Sequence, residues 1–157
     1  MEDNFFCKIK MLLIYALRMQ IPQDRVDNML DKTYTKGVLK VEIVFYKFAD
    51  GTCPVKDFIR SLDVKMKAKT LKTIELLENS GTALREPYSK SLGNGVFELR
   101  IKQCSDITRV LYFFFVGNKA VLTNGFTKKT NKTPREQIEL CQKYKSDYEW
   151  RKSNDGI

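Results

Sequence analysis

Five cations of this chain fall at strand ends and in one exit loop: Arg100, Arg109, Lys128, Lys129 and Lys132. The chain contains no histidine, so acid–base chemistry would fall to lysine, arginine, glutamate or tyrosine. Several guanidinium and ammonium groups converging on one phosphate suit cleavage of a phosphodiester by the RNA's own 2′-hydroxyl. They would stabilise the pentavalent charge through preorganised electrostatics. A lysine crowded by other cations has a lowered pKa and can serve as the base. Glu98 ranks below the lysines as a base, because a carboxylate between cations on a strand face is more often a charge partner.

Three short apolar strands present these residues. They lie within G-V-F-E-L-R-I-K from Gly95, T-R-V-L-Y-F-F-F-V-G-N-K-A-V-L-T from Thr108, and N-G-F-T-K-K-T-N-K-T-P from Asn124. In the first, Phe97, Leu99 and Ile101 share one face, and Glu98, Arg100 and Lys102 share the other. The second is apolar nearly throughout, which marks a central strand covered on both sides. A loop over residues 103–106 sets Lys102 opposite Ile107 and Arg100 opposite Arg109. A two-residue turn at Gly117-Asn118 then sets Phe126 opposite Arg109 and carries Lys128 onto the same face.

Like charges directly opposed destabilise a sheet, so an anion between Arg100 and Arg109 would account for the pair. Removing either arginine is then expected to leave the thermal midpoint level or raise it. The competing reading is that Arg100 pairs with Glu98 or another carboxylate and merely solvates an open sheet face.

Upstream, V-E-I-V-F-Y-K-F from Val41 reads as a strand. Pro54 suits the first turn of a helix with Val55, Phe58, Ile59 and Leu62 on one face. Asp63 can cap a second helix that turns Val64, Ala68, Leu71, Ile74 and Leu77 inward and ends at a glycine cap near Gly81. Thr133-Pro134-Arg135-Glu136 opens a last helix as a capping box, with Ile138, Cys141, Tyr144 and Tyr148 as its buried stripe. The order β-α-α-β-β-β-α predicts an α+β fold: a small, mainly antiparallel four-stranded sheet with a helical hairpin and a C-terminal helix.

Residues 1–40 read as a helical N-terminal extension, separate from a domain over residues 41–157. Its apolar stripe (Phe5, Ile9, Leu12, Ala16) needs a cover, either the chain's own helices or a second copy. A truncation starting near Gly37 is expected to fold.

With 157 residues, 28 Lys and Arg against 19 Asp and Glu, and a formal net charge of +9, the chain is one basic globular domain with room for an extra element. Such a surface concentrates polyanions, though it also serves solubility alone. Cys7, Cys53, Cys104 and Cys141 show no CxxC spacing, which argues against a zinc site and against a disulfide framework. No metal or cofactor is expected. The N-terminus is acidic where a signal peptide would be basic, and no apolar run approaches a membrane span, so a cytoplasmic protein is expected.

L-R-E-P-Y-S-K-S-L-G-N-G-V-F-E-L-R from Leu84, R-V-L-Y-F at Arg109 and G-F-T-K-K-T-N-K-T-P at Gly125 together resemble the RelE/HigB toxins of bacterial type II toxin–antitoxin pairs. More narrowly, they are similar to the phage-derived branch with a K-K-T-x-K-T-P signature. The resemblance spans about residues 41–148 and implies the fold described above. It implies a ribosome-dependent endoribonuclease that cuts mRNA in the decoding site and is silenced by a cognate antitoxin, of helix-turn-helix type.

By motif position, Arg100 and Arg109 would contact or stabilise the scissile phosphate. Lys128 and Lys129 match the basic pair before the last helix, one of them a general acid or base. Lys90, Lys102 and Lys132 are RNA-binding candidates. One departure stands out: some relatives carry a tyrosine near the start of the last helix that stacks on the substrate base, and here Thr133-Pro134-Arg135-Glu136 holds no aromatic. Two alternatives remain: a gyrase-inhibiting toxin of the same fold that binds without catalysis, and an inactive phage remnant that only binds an antitoxin.

Overall fold

The computed structural model describes residues 40–116, 118–127 and 132–154. The extension expected over residues 1–40 lies outside the described residues but for Lys40, and so do Lys128 and Lys129. Along the chain run β1 (Glu42–Phe45), α1 (Pro54–Ser61), α2 (Val64–Ser80), a 3-10 turn (Gly81–Ala83), β2 (Ser89–Gly93), β3 (Val96–Gln103), β4 (Asp106–Phe115), β5 (Lys119–Thr127) and α3 (Arg135–Asn154).

The strands form one sheet in the order β1-β5-β4-β3-β2. β1 runs parallel to β5, and the other neighbours are antiparallel. The α+β arrangement is therefore the expected one, but the sheet has five strands where four were expected. The extra strand, β2, reads Ser-Lys-Ser-Leu-Gly and carries little apolar alternation. Its signal lies in the turn: Asn94 and Gly95 take φ of 52° and 71°, the left-handed pair that closes a two-residue hairpin.

Both faces of β4 are covered, which is why its sequence is apolar nearly throughout. Val110 and Tyr112 join Leu99, Ile101 and residues of α1 and α2 in one cluster. On the other side Phe113 packs with Tyr144 and Tyr148 of α3, and Leu111 packs with Val96 and Cys141.

Asp63 caps α2 as expected, its carboxylate accepting the amides of Lys65 and Met66 at 3.0 Å each. The inward face of α2 needs correction. Ile74 and Leu77 are buried, but Val64 (83% exposed), Ala68 and Leu71 (51%) point away from the core. The buried lane is instead Met66, Thr70, Thr73 and Leu77, at helical spacing. Two threonines fit there because their hydroxyls donate to the backbone carbonyls of Met66 and Lys69, both at 2.8 Å. With the hydroxyl satisfied, threonine presents its methyl to the sheet.

The β4–β5 connection also differs. Phe115 pairs with Lys119, leaving three residues between the strands where a two-residue turn was expected. A bulge between Leu122 and Asn124 restores the anticipated register, so Arg109 does face Phe126. Thr123 is the extra residue, and its buried hydroxyl donates to Leu111 O at 3.1 Å. The bulge turns Asn124 and Phe126 toward the α3 side of the sheet.

Candidate active site

β3 and β4 pair without interruption from Val96–Phe113 to Gln103–Asp106. That register puts Arg100 opposite Arg109 and Lys102 opposite Ile107, as parity predicts. Arg100 and Arg109 lie on the α3 side, beyond the part of the sheet that Cys141, Tyr144 and Tyr148 cover.

Glu98 sits on the same stripe of β3, only 1% exposed. Its Oε1 accepts from Arg100 Nε at 3.0 Å and lies 3.6 Å from Arg109 Nε. Its Oε2 accepts the hydroxyl of Thr133, the residue read as the cap of α3. One carboxylate therefore ties two strands to the start of the last helix. The anion sought between the arginines is supplied by the chain itself.

Arg109 is buried, at 6% exposure, rather than lying on an open face. Its Nη1 donates to Thr108 O at 3.2 Å, while Nε has no hydrogen-bond partner among the described residues. Burial holds its guanidinium below the ordinary range, Glu98 pushes it back up, and Arg100 adds to the fall. Arg100 is more open. Its Nη1 reaches Glu86 Oε2 at 3.3 Å, with side-chain exposures of 25% and 60%.

The register sets Lys90 directly opposite Glu98, hence on the same face of the sheet. Lys102 follows Arg100 on that face by two residues, and both lysines are exposed. Lys132, also exposed, immediately precedes Thr133. β5 ends at Thr127, one residue short of Lys128. Among the candidates, the structure thus brings Arg100 and Arg109 together, sets Lys90 and Lys102 around them, and says nothing of Lys128 and Lys129.

Two residues hold this cluster together that the pattern of cations alone does not single out. Glu98 is the hub of the cluster, and its position two residues before Arg100 was the available signal. Thr133 was read only as a helix cap. Chemically, the arrangement is a pair of guanidiniums held at a fixed spacing, one buried and one open, with lysines on the rim. Such a surface can grip an anion at Arg100 while Arg109 contributes fixed positive potential behind it.

Among the described residues no group of His, Cys, Asp or Glu is placed to hold a metal ion, and no helix is long and apolar enough to cross a membrane. No curated protein matches the chain. The family model described as "Phage derived protein Gp49-like (DUF891)" matches residues 57–146, more than half of the sequence and including the whole of β2 to β5. The chain belongs to this Gp49-like, phage-derived family, a family of RelE/HigB-type toxins.

Proposed function

We propose that the protein is the toxin of a type II toxin–antitoxin pair, a cytoplasmic endoribonuclease that cuts mRNA on the ribosome and is silenced by a cognate helix-turn-helix antitoxin. The observation that carries this reading is the opposed pair Arg100 and Arg109 around one buried carboxylate, in a chain of a RelE/HigB-type toxin family.

In this reading the scissile phosphate docks at Arg100. Glu86 stands in for it in the free protein, and exchange is easy because exposed ion pairs contribute only about 0–1 kcal/mol. Arg109 stays behind, held by Glu98, and stabilises the charge that builds on the phosphorus oxygens. The RNA's 2′-oxygen attacks the adjacent phosphorus, losing its proton to a basic group. The bond to the 5′-oxygen breaks, that oxygen takes up a proton, and a 2′,3′-cyclic phosphate remains. Lys128 and Lys129 are the proposed acid and base, and Lys90, Lys102 and Lys132 the proposed contacts to flanking phosphates. The reaction needs no metal, because the cations supply the charge and the RNA supplies the nucleophile.

Inducing the protein alone in bacteria, followed by primer extension on cellular transcripts, tests the reading. Growth arrest with new 5′ ends inside coding sequence is expected, while purified protein leaves naked RNA largely intact. Arrest with intact transcripts and a supercoiling defect would favour a gyrase-binding toxin. Unimpeded growth with a soluble protein would favour an inactive remnant.

A further inference from the structure

Two clefts meet along the edge of the sheet next to α2. One, with a volume of about 480 Å³, runs along the helix past Lys69, Lys72 and Thr73. The other, about 410 Å³, continues past Arg100 and Lys102 at the end of β3. Both are lined by Lys69, Thr73 and Tyr88, so they form one groove with Tyr88 at the junction. The groove exists because β2 pairs with β3 only as far as Leu99. One more bond follows, from Arg100 N to Tyr88 O, and beyond it no strand among the described residues covers the edge of β3.

The groove is cationic with one aromatic ring in it. Lys69, Lys72 and Lys102 are exposed and enter no ion pair among the described residues. Glu75 is the acidic residue lining its far end. Tyr88 is 49% exposed, a large ring left half in solvent. Its backbone is held firmly: its amide donates to Arg85 O at 3.1 Å and its carbonyl accepts from Arg100 N at 2.8 Å. The residue is therefore anchored through its backbone to Arg100, which also belongs to the cluster around Glu98.

We infer that this groove is the track for single-stranded RNA leading to Arg100, with one base stacked on Tyr88 and the flanking phosphates on Lys69, Lys72 and Lys102. A sequence-tolerant strand site combines a cationic groove that follows the backbone with an aromatic face for the bases, and both are present here. The identity of the ligand rests on the RNA-directed reading above. The placement of the strand rests on the groove. Tyr88 also supplies the stacking ring that the start of α3 lacks.

The test uses the full-length chain and a fluorescein-labelled 2′-O-methyl oligouridylate of about eight nucleotides, within the usual span of such sites. Its blocked 2′-oxygen prevents cleavage, so anisotropy reads binding alone. Tyr88→Ala should weaken binding about tenfold, the loss typical of one stacked base, while Tyr88→Phe stays close to wild type. Lys69→Ala with Lys72→Ala should flatten the slope of log K against log salt by about 1.4, roughly 0.7 for each phosphate that the protein no longer neutralises. These two lysines are exposed, so that variant carries the test if Tyr88→Ala proves unstable by its thermal midpoint. Unchanged affinity in folded Tyr88→Ala, or an unchanged salt slope in the double variant, overturns the inference. Transcript cleavage together with Tyr88-independent binding would sink the groove and spare the nuclease. Intact transcripts with Tyr88-dependent binding would do the reverse.

Discussion

Arg100 and Arg109 stand directly opposite each other across β3 and β4, with Oε1 of Glu98 at 3.0 Å from the first and 3.6 Å from the second. Their mutual repulsion is thus offset by a carboxylate that is itself buried. The expectation that removing either arginine leaves stability level or raises it therefore reverses. Glu98→Gln should be the most damaging change, about 3 kcal/mol or more, since it leaves the buried Arg109 without counter-charge and facing Arg100, which keeps only the exposed Glu86. Arg109→Ala should cost about 2–3 kcal/mol, and Arg100→Ala, with its more exposed side chain, about 1 kcal/mol. Denaturant titration of the three variants gives the order. Equal stability of Glu98→Gln and wild type would contradict the shared-carboxylate account.

The faces of α2 yield a simple contrast. Leu71→Glu should change stability by no more than about 0.5 kcal/mol, as for other exposed positions. Leu77→Ala should cost about 2–5 kcal/mol, since Leu77 is fully buried under the sheet. Thermal unfolding of both reads the result. A large loss at Leu71 would mean that the outer lane of α2 is covered.

Gly125 has no room for a side chain. A Cβ there would strike Cδ1 of the Phe58 ring. The residue faces α1, opposite Val110 on β4. Gly125→Ala should therefore cost about 1–3 kcal/mol through overpacking. Adding Phe58→Leu should recover part of that loss, because the ring is what the new methyl strikes. Two losses that simply add would rule out this clash as the cause.

Tyr46 donates to Asp147 Oδ2 at 2.6 Å, and burial, followed by that bond and the nearby negative charge, pushes its pKa from 10.0 up to about 12. The folded state thus holds the phenol proton more tightly than the unfolded chain does. The stabilisation is complete below pH 10 and fades as pH rises through about 12. Wild type should exceed Tyr46→Phe by about 1–2 kcal/mol at neutral pH, and the gap should close over that alkaline window. Paired urea titrations across pH 8–12 would measure it. A gap that stays constant to the alkaline end would show that folding does not raise the phenol's pKa.

Much of the local order was legible in the chain. Asp63 and Pro54 mark helix starts, Gly81 a helix end, and the alternation of β3 sets Arg100 and Glu98 on one face, because capping and pleat are properties of a few consecutive residues. The Arg100–Arg109 pairing was legible as well, since a tight turn fixes hairpin register. Three things had to wait for the folded chain. The inward lane of α2 is chosen by what the sheet can accommodate, and Thr70 and Thr73 outcompete Val64 and Leu71 once their hydroxyls bond the helix backbone. The bulge at Thr123 keeps Phe126 opposite Arg109 after a longer turn has shifted the strands. The bond that closes over Glu98 comes from Thr133, 35 residues further along the chain. Local bonding rules settle which residues share a strand face. Only long-range packing decides which of those faces meets solvent, because burial is a property of the elements that come to rest upon it.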